Sequence, residues 1–156
     1  MKLCVFSDSH GAADRLIAAI RRETPALCFF LGDGERDLAA AQARFPSLPF
    51  YAVRGNCDLR SGLSGELVCS AGGVRFFVTH GHLYDVKYDP GLERLTAAAR
   101  AAGADTALFG HTHRPLCERL AGVLCLNPGS IGRGAYAVLT VADGQCTADL
   151  KTLERT

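Results

Sequence analysis

Six apolar runs in this 156-residue chain each end in a short polar motif, and that recurrence constrains the fold more than any other feature. The motifs are Asp8-Ser9-His10, Gly32-Asp33, Gly55-Asn56-Cys57-Asp58, His80-Gly81-His82, Gly110-His111-Thr112-His113 and Asn127-Pro128-Gly129-Ser130. The runs before them are short and bounded by turn residues, as buried strands are. In open α/β sheets the C-terminal strand ends form the crevice where ligands bind. The first five motifs supply carboxylates, imidazoles and one amide, donors suited to divalent metals of borderline hardness. Five such motifs at strand ends imply one shared site.

The first half alternates strand and helix. Lys2–Ser7 reads as an apolar strand, and Ala13, Leu16, Ile17 and Ile20 then follow the i, i+3, i+4, i+7 spacing of an amphipathic helix. Pro25 ends that helix. Ala26–Leu31 is a second strand, Glu35–Arg44 a second helix stopped by Pro46, and Phe50–Val53 a third strand. This rhythm implies parallel strands covered by helices.

The second half holds more strand. Glu66–Ser70 and Val74–Thr79 flank Gly72-Gly73, a dipeptide suited to a tight hairpin. A helix is expected near Gly91–Ala102 with Gly103 as its cap, and then a strand at Thr106–Phe109. Leu116–Leu120, Val123–Leu126, Tyr136–Val141 and Cys146–Thr152 read as a β-meander, with turns at Ala121-Gly122 and Asp143-Gly144. So many strands in a chain of this length require two packed sheets with helices outside. The length suits a single domain over residues 1–156.

Bulk composition excludes several classes. Hydrophobic residues at 48% and charged residues at 21% describe a globular chain without disorder. A formal net charge of +1 provides no electrostatic support for binding nucleic acid or a membrane surface, although short nucleic acid remains open. The opening apolar run breaks at Ser7-Asp8, too soon for a secretory core of roughly 7–15 residues, so the expectation is a cytoplasmic protein. Seven cysteines without a CxxC pair indicate neither a disulfide framework nor a zinc ribbon. Six are expected to be small buried hydrophobes, with Cys57, inside a motif, as the exception.

Singly, each motif has a bland explanation. Asp33 could cap the helix that starts at Glu35, and Asn56 could fill a left-handed turn position. Asp8 with His10, and His111 with His113, are two residues apart, so in extended backbone each pair would project to one side. The joint pattern is what argues for a site. His10, His80, His111 and His113 all fall at strand ends, and His82 lies two residues beyond His80.

The ordered series D-x-H, G-D, G-N-[HC]-[DE], H and G-H-x-H resembles the calcineurin-like metallophosphoesterase superfamily. Gly55-Asn56-Cys57-Asp58, the short length and Asn127-Pro128-Gly129-Ser130 are similar to the small prokaryotic YfcE-type phosphodiesterases. The resemblance runs from Asp8 to Ser130. The H-x-H-x-D-H string of metallo-β-lactamase-type hydrolases is absent, since Arg114-Pro115 follow His113.

The resemblance implies a four-layer α/β/β/α sandwich of two mixed β-sheets flanked by helices, with a dinuclear metal centre. Asp8, His10 and His113 would hold one ion, Asn56, His80 and His111 the other, and Asp33 would bridge. Two ions ~3.5–4 Å apart activate a bridging hydroxide for in-line attack on a phosphate ester. The mixed N/O set suits Mn2+, favoured from the family, and also Ni2+, Fe2+ or Zn2+. Cys57 stands where many larger members carry a histidine, which favours a small-molecule phosphodiester over a monoester as substrate. His82 becomes a candidate helper, Asp58 a carboxylate that orients a ligand, and Arg36, Arg54 and Arg133 candidate phosphate contacts. A protein-interaction scaffold on the same fold is the alternative, and a homo-oligomer is left open.

Overall fold

Strands buried on both faces carry this fold, and alternation along them sorts the core. The computed structural model describes residues 1–154. In chain order the elements are β1 (Lys2–Phe6), α1 (Ala13–Glu23), β2 (Leu27–Phe30), α2 (Glu35–Arg44), β3 (Phe50–Ala52), β4 (Glu66–Ala71) and β5 (Val74–Thr79). Then come α3 (Glu93–Ala101), β6 (Thr106–Leu108), β7 (Leu116–Leu120), β8 (Val123–Asn127), β9 (Ala135–Ala142) and β10 (Gln145–Thr152). Short 3-10 turns occupy His82–Tyr84 and Ile131–Arg133.

Two five-stranded sheets result, ordered β10-β9-β1-β2-β3 and β4-β5-β6-β8-β7. Leu3, Val5, Leu27 and Phe29 of the first sheet meet Val74, Phe76, Val78 and Leu126 of the second in one apolar layer. Phe29 and Phe76 face each other with ring centroids 5.0 Å apart. The intervening residues Cys4, Phe6, Cys28 and Phe30 point the other way, under Leu16, Ile20 and Leu38 of α1 and α2. On the far side Phe77, Ala107 and Phe109 pack beneath Leu95 and Ala99 of α3. The four layers are thus α1 and α2, the first sheet, the second sheet, and α3. Each buried Phe or Leu contributes roughly 1.5–3 kcal/mol, so these three interfaces hold the strand ends rigidly.

Within each sheet three adjacent strands run parallel: β1, β2 and β3 in one, β5, β6 and β8 in the other. The six polar motifs follow these six strands, and strand ends from both sheets meet along one edge of the sandwich.

Two expectations are corrected. The last four strands are not a meander: β7–β8 is a hairpin of the second sheet and β9–β10 a hairpin of the first. Both hairpin turns fall where expected, with Ala121-Gly122 and Asp143-Gly144 at positive φ. β9 is buried on both faces, with Leu139 and Val141 between the sheets and Tyr136 and Val138 beneath α1, so it needs an interior place beside β1. The cysteines also divide differently. Cys4, Cys28 and Cys125 are buried, but Cys69 and Cys146 are half-buried and Cys117 is exposed on edge strand β7. An edge strand covered on one face only leaves alternate side chains in water. No helix among the described residues is long and apolar enough to cross a membrane.

Candidate metal centre

The loops that leave the parallel strands turn sharply. Asp8, His10, Asp33, His111 and His113 all have positive φ, between 42° and 71°. Such backbone is costly for non-glycine residues and persists where surrounding structure over-determines it, most often at functional sites. It also corrects the expected route by which the two i, i+2 pairs converge. They meet through left-handed turns rather than along extended strands.

The turns bring six of the seven predicted ligands together. Asp8 Oδ1 lies 3.1 Å from His113 Nε2, 3.6 Å from His10 Nε2 and 3.8 Å from His80 Nε2. Asp33 Oδ2 lies 3.2 Å from His80 Nε2 and 3.8 Å from His10 Nε2. His111 stacks edge-on to His80 with centroids 5.1 Å apart. Asp8, His10 and His113 form one group that could hold a metal ion, and Asp33, His80 and His111 another. Asn56 stands exposed at the rim, its Nδ2 donating to Cys57 Sγ at 3.6 Å. That bond leaves Oδ1, the atom a cation would take, uncommitted.

Buried hydrogen bonds aim the carboxylates. Asp8 Oδ2 accepts from Ser7 Oγ at 2.5 Å and from the His111 N–H at 3.1 Å, which turns Oδ1 into the site. Asp33 Oδ1 accepts the Cys57 N–H at 2.8 Å, which turns Oδ2 inward. Asp58 accepts from the backbone N–H groups of Asp33, Gly34, Glu35 and Gly55, tying two motif loops together and capping α2. Asn127 donates to Gly110 O and Thr112 Oγ1, bracing the loop of His111 and His113, while Ser130 Oγ donates to Asp8 O. The sixth motif is therefore a buttress.

The donor chemistry fits a cation. His80 Nδ1 sits 2.6 Å from the Leu31 carbonyl, which can only accept, so Nδ1 carries the hydrogen and Nε2 is left with a lone pair. That lone pair faces two carboxylate oxygens. Asp8 Oδ1 and His80 Nε2 are buried without a hydrogen-bond partner among the described residues. Acceptors facing acceptors need a proton or a metal between them. Burial pushes His80 down, but Asp33 and Asp8 outweigh it and raise its pKa. Burial pushes Asp33 up, and the His80 ring with the Cys57 N–H more than reverses this. His111, lowered to about 4 by burial and then by His80 and Lys87, stays neutral with a lone pair to donate.

Among the helpers, His82 lies beside His80 and His111, at 5.5 and 6.1 Å between centroids, and its Nδ1 has no hydrogen-bond partner among the described residues. Cys57 is exposed, and desolvation together with the Asp33 carboxylate raises its thiol pKa, so it remains a thiol. It also joins His10 and Asp33 in a third group of possible metal donors. Arg36 lines a cavity of about 610 Å³ beside His10, Asp33 and Cys57. Arg54 is committed to the Leu63 carbonyl at 2.7 Å. Arg133 flanks His10 and His113 together with Arg15, which the sequence pattern assigns to the solvent face of α1. Asp37 was likewise unforeseen: it is buried, accepts from Ser9 Oγ and the Gly11 N–H, and pins the first motif loop to α2. Its helical spacing makes it look like a first-turn surface acid.

Residues 1–146 match the family model of the calcineurin-like phosphoesterase superfamily domain. The chain belongs to that superfamily, and its paired five-stranded sheets with flanking helices are the calcineurin-like metallophosphoesterase fold. Among curated relatives, "Probable metallophosphoesterase YsnB" of Bacillus subtilis (strain 168) is 34% identical over 154 residues, spanning 94% of this chain and 88% of that protein. "Phosphodiesterase YfcE" of Escherichia coli (strain K12) is 28% identical over 155 residues, spanning 84% and 79%. A crystal structure of a predicted phosphoesterase from Streptococcus pneumoniae TIGR4 has a TM-score of 0.81 at 28% identity, covering 97% of this chain and 88% of that one. Membership in this hydrolase class makes the chain a metallophosphoesterase.

Proposed function

We propose that this enzyme hydrolyses small phosphodiesters with two divalent cations held at the strand-end centre. Asp8, His10 and His113 hold one, Asn56, His80 and His111 the other, and Asp33 is shared. The observation that carries the reading is the pair of buried, unpartnered atoms, Asp8 Oδ1 and His80 Nε2, aimed into a cluster of acceptors. When bound, the cations would lower the pKa of a water nucleophile and offset charge on the phosphoryl oxygens during in-line displacement. The chain's own groups do the rest. Asp58 and Ser7 keep the two carboxylates oriented, and His82 offers a hydrogen bond to a phosphoryl or leaving oxygen. Cys57, a weak donor, gives little help to a poor leaving group, which favours diesters with acidic alcohols. The mixed N/O donor set suits manganese, with nickel, iron and zinc as competitors.

A scaffold that had shed its chemistry would have no need to keep all seven donor positions. The test is hydrolysis of bis(p-nitrophenyl) phosphate with added Mn2+. Turnover that requires the metal and disappears in Asp33→Ala is the expected result. No turnover above background, or full turnover by Asp33→Ala, overturns the proposal.

A further inference from the structure

Beside the centre, a groove of about 600 Å³ opens between segments that follow two ligand motifs, residues 86–92 beyond His80 and residues 112–118 beyond His111. Its size is that of a small-molecule site. The floor is apolar and buried: Phe109, Leu92 and Val86 are 2%, 5% and 5% exposed. Val86 is seated against Gly81, next to His80, so the floor continues directly from the ligand loop. Tyr88 stands at the lip with 81% of its surface in water. Lys87 and Arg114 are exposed cations on the two opposing segments. Phe109 and Thr112, on either side of Gly110-His111, line the same space, which puts the groove beside that motif loop. Carboxylates of Asp89 and Glu118 line the same space.

We infer that this groove takes the nucleoside half of a phosphodiester, its base lying against Tyr88 and its phosphate between Lys87, Arg114 and the metal centre. The inference rests on the phosphodiesterase reading and names the substrate class for it. The groove combines two exposed cations, an apolar floor and an open aromatic ring. A nucleotide combines the matching charge, sugar and flat ring, with peripheral N–H and hydroxyl donors for Asp89 and Glu118. Stacking on an aromatic ring tolerates any base, because every base has a π-face. A short alkyl diester would leave Tyr88 and the apolar floor in water. A long polyanion would need a basic track, which a net charge of +1 does not provide.

Two diesters with the same leaving group separate the groove from the chemistry: thymidine 5′-(p-nitrophenyl) phosphate and methyl p-nitrophenyl phosphate. With Mn2+ present, kcat/KM is expected to favour the thymidine ester by about tenfold or more, and Tyr88→Ala to bring the ratio within about twofold. Calorimetry on the metal-free protein gives a readout without turnover. There thymidine 5′-monophosphate is expected to bind about tenfold tighter than inorganic phosphate, and Tyr88→Ala to remove the difference. Equal rates on the two diesters, or a ratio that Tyr88→Ala leaves unmoved, overturns the nucleoside assignment. If neither diester is hydrolysed while the Tyr88-dependent binding persists, the phosphodiesterase reading fails and the nucleoside groove stands. If thymidine monophosphate binds no better than phosphate, the groove assignment falls whatever the rates.

Discussion

Asp58 Oδ2 accepts the backbone N–H of Asp33 at 2.7 Å, so the turn after β3 sets the position of the carboxylate after β2. The clasp is reciprocal, because Asp33 Oδ1 accepts the N–H of Cys57 at 2.8 Å. One carboxylate thereby holds another at the angle its free oxygen needs.

Asp58→Ala removes the acceptor for four backbone N–H groups at once. Hydrogen bonds to a charged group contribute about 1.5–3 kcal/mol, so unfolding by denaturant should show a loss of about 2 kcal/mol after water replaces part of the set. The catalytic loss should be larger, about 100-fold in kcat/KM for an aryl diester, because Asp33 loses its register. Asp58→Asn keeps one acceptor oxygen and should fall between. Unchanged kinetics in Asp58→Ala would mean that the two loops hold their places without it.

Metal should stabilise the fold as well as activate it, because the Asp8 and Asp33 carboxylates are buried together and face the imidazoles of His10 and His80, donors that a cation would join. At 100 times its dissociation constant a ligand adds about 2.7 kcal/mol. For a chain of this size that raises Tm by roughly 5–10 °C. Asp33→Asn loses a carboxylate whose charged form His80 and the Cys57 N–H favour, so its metal-free form should melt below wild type, and it should gain little from Mn2+. Thermal scans of both proteins with and without Mn2+ decide this. A metal response in Asp33→Asn equal to wild type would contradict the ligand assignment.

How much of this was legible in the residues themselves depends on range. Element positions were, because Lys2–Phe6 or Val74–Thr79 announce themselves by composition within six residues. The convergence of six candidate ligands was, since their chemistry is unusual and they sit where strands end. What failed was partnering. Nothing local in Ala135–Ala142 says that β9 crosses to the other sheet and pairs with β1. Asp37 and Arg15 look like helix surface residues until the loops after β1 and β8 fold against them. The left-handed turns at Asp8, His10 and His113 were also hidden, because φ > 0 is invited by glycine, and here long-range contacts impose it on other residues.

The glycines at Gly32 and Gly55 let two motif loops touch. A Cβ on Gly55 would come within 2.1 Å of Asp33 Oδ1 and 2.7 Å of its backbone nitrogen, and one on Gly32 within 2.4 Å of Gly55 N. Gly55→Ala must therefore push Asp33 aside. The sandwich core is remote from this contact, so circular dichroism should stay native while kcat/KM drops about 100-fold, the scale of a 1 Å misplacement. Wild-type activity in Gly55→Ala would show that Asp33 has room to retreat.

Away from the site, Glu23 governs the acid limb of stability. It is 4% exposed and receives hydrogen bonds from Tyr136 Oη at 2.6 Å and Lys151 Nζ at 3.2 Å, with Lys2 Nζ 2.8 Å from its other oxygen. Burial raises the carboxyl, but these three partners outweigh it and bring it from the ordinary 4.5 down to about 2. A carboxyl that titrates lower in the folded state favours folding wherever the unfolded group has already lost its proton. The contribution is thus complete above about pH 4.5 and drains away as pH falls towards 2. Its full size is on the order of 3 kcal/mol, an upper bound because Lys2 and Lys151 are 44% and 41% exposed. Urea unfolding from pH 7 to pH 3 should show this decline in wild type. Glu23→Gln should be less stable at pH 7 and should lose less between pH 4.5 and 3. A wild-type curve parallel to that of Glu23→Gln through this range would place the acid sensitivity elsewhere.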